Sequence, residues 1–146
     1  MEHSSFSQIL LGLDGSPHAQ AATEYACQIA LAHNAPITGV AIIDQPGIQS
    51  SSGPVPIGGA HYDVKLEDQL LEETQAEAKA ILDDFAHSLV TRSGHPDTVV
   101  KSYIAENDID MLVMGAYGRR SVREFFVGSV TYHLIHETEI PLFLYH

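Results

Sequence analysis

The chain has 146 residues, 45 % of them hydrophobic and 18 % charged, the size and make-up of one globular domain, with a second full domain not expected. Nineteen acids against seven Lys and Arg give a formal charge of -12, which repels a phosphate backbone and argues against a nucleic-acid binder. No apolar run approaches the roughly 18 residues that a membrane helix requires, so no membrane association is expected.

The opening stretch MEHSSFSQILLGLDGS has no basic region before its short apolar run, and it predicts a buried strand rather than a secretory signal. That strand stops at the turn signal Asp14-Gly15-Ser16-Pro17. Ser16 is suited to cap a helix with Pro17 at its first position. Ala19, Ala22, Ala26, Ile29, Ala30 and His33 then follow the helical spacing and give a narrow face of small residues. Cys27 lies on the same helix, where a buried small hydrophobe is the better reading than a reactive thiol. A single cysteine forms no internal disulfide and agrees with a reducing cytoplasm. Asn34-Ala35-Pro36 ends the helix, and residues 37–44 predict a second buried strand.

Residues 45–64 hold Gly, Pro or Ser at ten of twenty positions and predict a flexible insert, disordered or merely tolerated ahead of a lid or a binding loop. Beyond it, Leu66, Leu70, Leu71, Thr74, Ala78, Ile81, Leu82 and Phe85 keep a helical register, with acids on the other face. A short strand is expected over 87–94. A helix opens at Gly94-His95-Pro96 with Val99, Val100, Tyr103 and Ile104 inward, and a further buried strand is expected over 109–115. Residues 128–138 predict a helix with Val130, Leu134 and Ile135 on its inner side, and a last strand closes the chain from Pro141. Apolar strands alternating with helices imply an α/β fold: one doubly wound, five-stranded parallel sheet with helices on both faces. Ligands of such sheets bind outside the carboxyl ends of the strands, which here are Asp14, Asp44 and Gly115.

The acidic chain concentrates three of its seven basic residues at Arg119, Arg120 and Arg123. Gly115 and Gly118 open the backbone to a ligand, and Gly128-Ser129 begins a helix whose free N–H groups attract an anion. Together they make a phosphate cradle, with Arg119 the best placed to add charge. Asp14 supplies a carboxylate for ribose hydroxyls or an adenine amino group. The fingerprints GxGxxG, GxxxxGK[ST] and GxSxG are absent, which disfavours dinucleotide folds, Walker-type loops and triad hydrolases. Nine scattered histidines offer no protein-only metal site; a divalent ion shared with nucleotide phosphates is the more plausible metal.

MGAYGRRSVREFFVGS fits the pattern GxxGx9G[ST], and with the opening strand, DGS turn and helix it resembles the universal stress protein family over essentially the whole chain. The resemblance implies a Rossmann-like fold of the adenine nucleotide α-hydrolase-like group that binds ATP or AMP. It implies that Gly115, Gly118, Arg119, Gly128, Ser129 and Val130 hold phosphate with Met114 beside them. Asp14, with Gly12 and Leu13, then holds the ribose and adenine end, and Ile42 touches adenine. Mg2+ or Mn2+ accompanies the phosphates. The resemblance further implies a cytoplasmic homodimer joined through Leu142 to Tyr145 and a stress-response sensor or regulator that addresses a protein partner. Hydrolysis is expected to be slow or absent, so the chain is not expected to be an enzyme. Two alternatives are a nucleotide-free dimeric interaction module of the same fold and an adenylating ATP-utilising enzyme, the latter disfavoured because no SGGxDS-like loop follows the first strand.

Overall fold

Strand β1, Ile9–Leu13, reads ILLGL, a run that can be buried on both sides only between neighbouring strands. The computed structural model describes residues 5–43, 59–116 and 129–146. After β1 come α1 (Pro17–His33), β2 (Ile37–Ile43), α2 (Gly59–Leu82), β3 (His87–Ser93), α3 (Pro96–Glu106), β4 (Met111–Gly115), α4 (Ser129–Glu137) and β5 (Leu142–Tyr145). The strands form one sheet in the order β3-β2-β1-β4-β5, and every neighbouring pair is parallel. This is the doubly wound architecture expected from the sequence.

Alternate side chains of each strand point to opposite faces. Ile9, Leu11 and Leu13 of β1, with Met111 and Val113 of β4, meet Ala22, Ala26, Cys27 and Ala30 of α1 and Ala78 and Leu82 of α2. Leu10, Val40 and Leu112 point the other way, onto Val100 and Tyr103 of α3 and Leu134 of α4. Leu10, Leu11 and Leu112 are completely buried. Each such side chain stabilises the fold by about 1.5–3 kcal/mol relative to exposure, so the two central strands carry much of the core.

Local chemistry sets the helix ends. Ser16 caps α1 in extended geometry, its Oγ accepting from the Ala19 N–H at 3.1 Å, and Pro17 follows at the first helical position. Asn34 closes α1 in the left-handed conformation at φ 52°, which Asn tolerates better than most side chains. Gly94 takes φ 138° before α3, a conformation that requires glycine.

Three expectations are corrected. Residues 59–64 belong to α2 rather than to the insert: all ten Gly, Pro and Ser residues of 45–64 lie at or before Gly59, so the helix begins where the breakers end. The remainder of the insert, 45–58, lies outside the described residues. Ile135 is 47 % exposed, and Thr131 takes its expected place on the inner stripe with Leu134. A helix of nine residues buries only one narrow stripe, and Ile135 lies about 100° round the axis from Leu134. Phe85 packs against the α1/α2 core from the turn after α2, because the helix stops at Leu82. Among the described residues no helix is long and apolar enough to cross a membrane.

Candidate functional site

The winding direction reverses between β1 and β4: β1 leads into α1 on one face of the sheet, and β4 leads towards α4 on the other. Their carboxyl ends therefore diverge and leave an edge open to a ligand. Gly12 and Met114 stand side by side there; a β-carbon on Gly12 would lie 3.3 Å from Met114 Cβ. Ile42 lies one residue beyond the Leu13–Ala41 pair of the parallel register, level with Asp14. Ile42, Met114 and Val130 are half-buried members of one apolar group on the α3/α4 face.

Asp14 is exposed at the tip of β1. Its Oδ1 accepts the Ser16 N–H at 2.8 Å, an Asx turn closed over Gly15 at φ 73°. The turn uses one carboxylate oxygen and fixes where the group stands. Leu13, by contrast, is 8 % exposed and points into the α1/α2 core, so only its backbone reaches the edge.

Gly115 is glycine for a reason the motif did not reveal. A β-carbon there would lie 2.9 Å from Ala19 N and His18 C, in the backbone of the first turn of α1, and equally close to His18 Cβ. The absence of a side chain at Gly115 is thus what lets α1 dock on β4. Ala116 follows, buried, with its N–H donating to Tyr145 O at 2.7 Å and its carbonyl accepting from Thr131 Oγ1 at 3.1 Å. The exit of β4 and the first turn of α4, which opens with Ser129 and Val130, are thereby bonded together. Gly118, Arg119 and Gly128 fall within 117–128, outside the described residues, as does the side chain of Ser129.

The structure gathers Gly12, Asp14, Ile42, Met114, Gly115 and Val130 at one edge. It also reveals two residues that sequence reasoning passed over, Ala116 and Thr131. A polar residue on the buried stripe of a short helix was the available signal for Thr131; Ala116 carried none.

Several other polar groups among the described residues are engaged elsewhere. Asp110, just before β4, accepts from Ser7 N–H at 2.8 Å, Ser7 Oγ at 2.7 Å and Gln8 N–H at 3.0 Å. Burial alone would raise its pKa, but these hydrogen bonds and one from its own backbone outweigh burial and hold it below the ordinary value. Arg92 donates to Thr91 O and lies 5.4 Å from the centre of the Tyr103 ring. Lys101 pairs with Glu137. Burial, and to a lesser degree Glu24, pushes the Cys27 thiol upward, which favours its protonated form. Among the described residues no group of three His, Cys, Asp or Glu is placed to hold a metal ion. His133 and His136 bond within their own helix, to Glu137 and to the Tyr132 carbonyl.

A cleft of about 420 Å³ opens at the other end of the sheet, lined by Gln8, Thr38, Ser88, Tyr103 and Asn107 among others. Several of its polar groups are already engaged: Thr38 Oγ1 and Ser88 Oγ are 3.2 Å apart, and Asn107 Nδ2 donates to Tyr103 O. It is lined by no Asp, Glu, Lys or Arg and lies at the amino end of the sheet, so topology places the candidate site at the carboxyl edge instead.

The family profile described as the Universal stress protein family matches residues 5–146. The chain belongs to this family. A universal stress protein of Thermus aquaticus is 30 % identical over 144 residues, covering 95 % of this chain and 98 % of its own length. Another, from Synechocystis, is 37 % identical over 49 residues, 34 % of this chain and 17 % of that longer protein. Among solved structures, the universal stress protein UspA of Lactobacillus plantarum superposes with a TM-score of 0.73 at 24 % identity, covering 99 % of this chain and 100 % of that one. A universal stress protein in complex with cAMP has a TM-score of 0.64 at 22 % identity, with 98 % of each chain covered. The Archaeoglobus fulgidus protein in complex with dAMP has a TM-score of 0.63 at 16 % identity, covering 97 % of this chain and 98 % of that one. At these identities the solved structures establish the shared fold.

Proposed function

We propose that this universal stress protein binds an adenine nucleotide, ATP or AMP, at the carboxyl edge of its sheet and acts as a sensor or regulator of the stress response. The observation that carries the reading is the meeting of three features at the crossover: the exposed carboxylate of Asp14, the apolar group Ile42, Met114 and Val130, and the first turn of α4 bonded to the exit of β4. A carboxylate suits ribose hydroxyls or an exocyclic amine, an apolar ledge suits the face of a base, and a helix start suits phosphate. The motif residues Gly118, Arg119, Gly128 and Ser129 would add backbone donors and positive charge, with Mg2+ or Mn2+ completing its shell mainly from phosphate oxygens and water. Relatives of the same fold crystallised with cAMP and dAMP support the ligand class.

In this reading Asp14 orients the ligand and activates no water, so hydrolysis is slow or absent and the output passes to a regulatory protein partner. The protein works in the cytoplasm as a homodimer paired along β5. That strand is the outer edge of the sheet, and with Tyr25 stacked at 5.1 Å from Phe143 and 5.7 Å from Tyr145 it offers an aromatic surface for a second copy.

The test is identification by mass spectrometry of nucleotide released on denaturation, followed by calorimetric titration of wild type and Gly118→Val with ATP and Mg2+. Wild type should bind and the variant should bind weakly or not at all. No released nucleotide together with no heat from ATP, AMP or cAMP overturns the reading. Turnover at or above about 1 per second, in the ordinary enzyme range, overturns the regulator assignment. A monomer by light scattering removes the dimer.

A further inference from the structure

Ala116 is where the chain leaves β4, and the structure holds this residue from both sides, by Tyr145 O on its N–H and by Thr131 Oγ1 on its carbonyl. Thr131 is 3 % exposed, on the buried stripe of α4 beside Val130 and Leu134. Valine has nearly the same shape, so packing gives no reason for a hydroxyl, and a buried hydroxyl is unfavourable unless it is bonded. Thr23 and Thr138 bond to the carbonyls four residues back, those of Ala19 and Leu134, the usual outlet for a threonine in or at the end of a helix. Thr131 reaches 15 residues back to another element.

We infer that Thr131 is a positioning residue of the nucleotide site, locking the first turn of α4 against the Met114-Gly115 edge through the Ala116 carbonyl. The inference rests on the nucleotide reading above. Its physical basis is preorganisation: donors that receive phosphate act at full strength only when held to within about 0.5 Å of the bound geometry. Without the bond, the helix start and the strand tip shift relative to each other, and Ala116 is left with a buried carbonyl lacking its partner. Thr131 touches no ligand; it acts through where it holds Val130 and Ala116.

The experiment compares wild type, Thr131→Val and Thr131→Ser by calorimetry with ATP and Mg2+, alongside thermal melts. Thr131→Val should bind about tenfold more weakly, the loss expected of one buried hydrogen bond, while Thr131→Ser stays within about threefold of wild type. Wild-type affinity in folded Thr131→Val, or equal weakening in the serine variant, overturns the inference. Should Thr131→Val fail to fold, Thr131→Ala takes its place under the same criteria. Amide exchange on the ligand-free proteins gives a second readout: the Ala116 N–H should exchange about tenfold faster in the valine variant than in wild type, with Leu112 and Val113 unchanged. Equal protection at Ala116 overturns the lock itself, whereas a wild type that binds no nucleotide overturns the nucleotide reading, and with it the positioning role, while leaving the lock between α4 and the β4 exit standing.

Discussion

Two aspartates mark the two ends of the sheet, and their surroundings differ. Asp110 stands just before β4 at the amino edge, where both of its oxygens accept hydrogen bonds from Ser7 and Gln8 and tie down the entry to β1. Asp14 stands just after β1 at the carboxyl edge, exposed, with Oδ1 engaged by its own turn. One carboxylate is consumed by the fold, and the other is held in place by it with one oxygen left out of the turn. Under the proposed nucleotide reading, the same residue type is a clamp at one end of the parallel sheet and a ligand group at the other.

The largest effect should come where the two roles coincide, at Gly115. Gly115→Val places a branched side chain against the backbone of His18 and Ala19, which cannot move without displacing α1. A loss of about 3 kcal/mol in urea unfolding is expected, at the upper end of the usual range for overpacking. Gly12→Ala tests the other face of the same edge. Its β-carbon meets Met114 Cβ at 3.3 Å and Val113 O at an ordinary 3.9 Å, and the cost should stay near 1 kcal/mol or less. Equal destabilisation by the two would show that the edge tolerates no side chain on either face.

Next in size is a crossed pair. Asp110→Ala should lower stability by about 1 kcal/mol by removing the carboxylate that Ser7 and Gln8 donate to, a cost limited because water can take up the freed donors, with nucleotide affinity unchanged. Asp14→Ala should weaken adenine-nucleotide binding by about ten- to a hundredfold, the scale of a charge-assisted hydrogen bond, and alter stability by less than about 1 kcal/mol. Weakened binding in the Asp110 variant, measured by calorimetry, would end the division of labour between the two ends.

Acid sharpens the same contrast by a smaller amount. The pKa of Asp110 is held below its ordinary value of 3.8, so its contribution is complete above that value and is lost as the pH falls through the lower native one. Between about pH 4 and pH 2 the unfolding free energy of wild type should fall more steeply than that of Asp110→Asn, which has no carboxylate to protonate. Parallel slopes for the two proteins would mean that the hydrogen bonds at Asp110 do not favour its charged form.

These contrasts also mark how far the sequence could be read. Strands β1, β2, β4 and β5 were legible because each is a largely apolar run, which β3, HSLVTRS, is not, and α1 because Ser16, Pro17 and Asn34 announce its ends. Asp14 and the Gly115 tip were legible because they follow such runs directly. Three features were not: the Asp110 clamp spans 102 and 103 residues, Thr131 bonds 15 residues back, and Gly115 is dictated by the backbone of another element. All three arise from contacts that exist only once the sheet is assembled. Periodicity reports which side of an element is inside, and it is silent about which atom it meets there.

The smallest expected effect tests whether charge by itself explains the clamp. Lys101 and Glu137 pair across α3 and α4: the bond to Glu137 raises Lys101, and the bonds from Lys101 and then His133 lower Glu137. On charge alone this cluster should rival Asp110. Yet its partners are long side chains in water, whose ordering and screening offset most of the attraction, whereas those of Asp110 include two backbone N–H groups already fixed by the fold. Lys101→Gln should therefore leave the unfolding midpoint within experimental scatter at 0.15 M salt, where exposed charges are screened over about 8 Å. A drop as large as that in Asp110→Ala would mean that the ion pair, and not the rigidity of the donors, decides what a carboxylate contributes here.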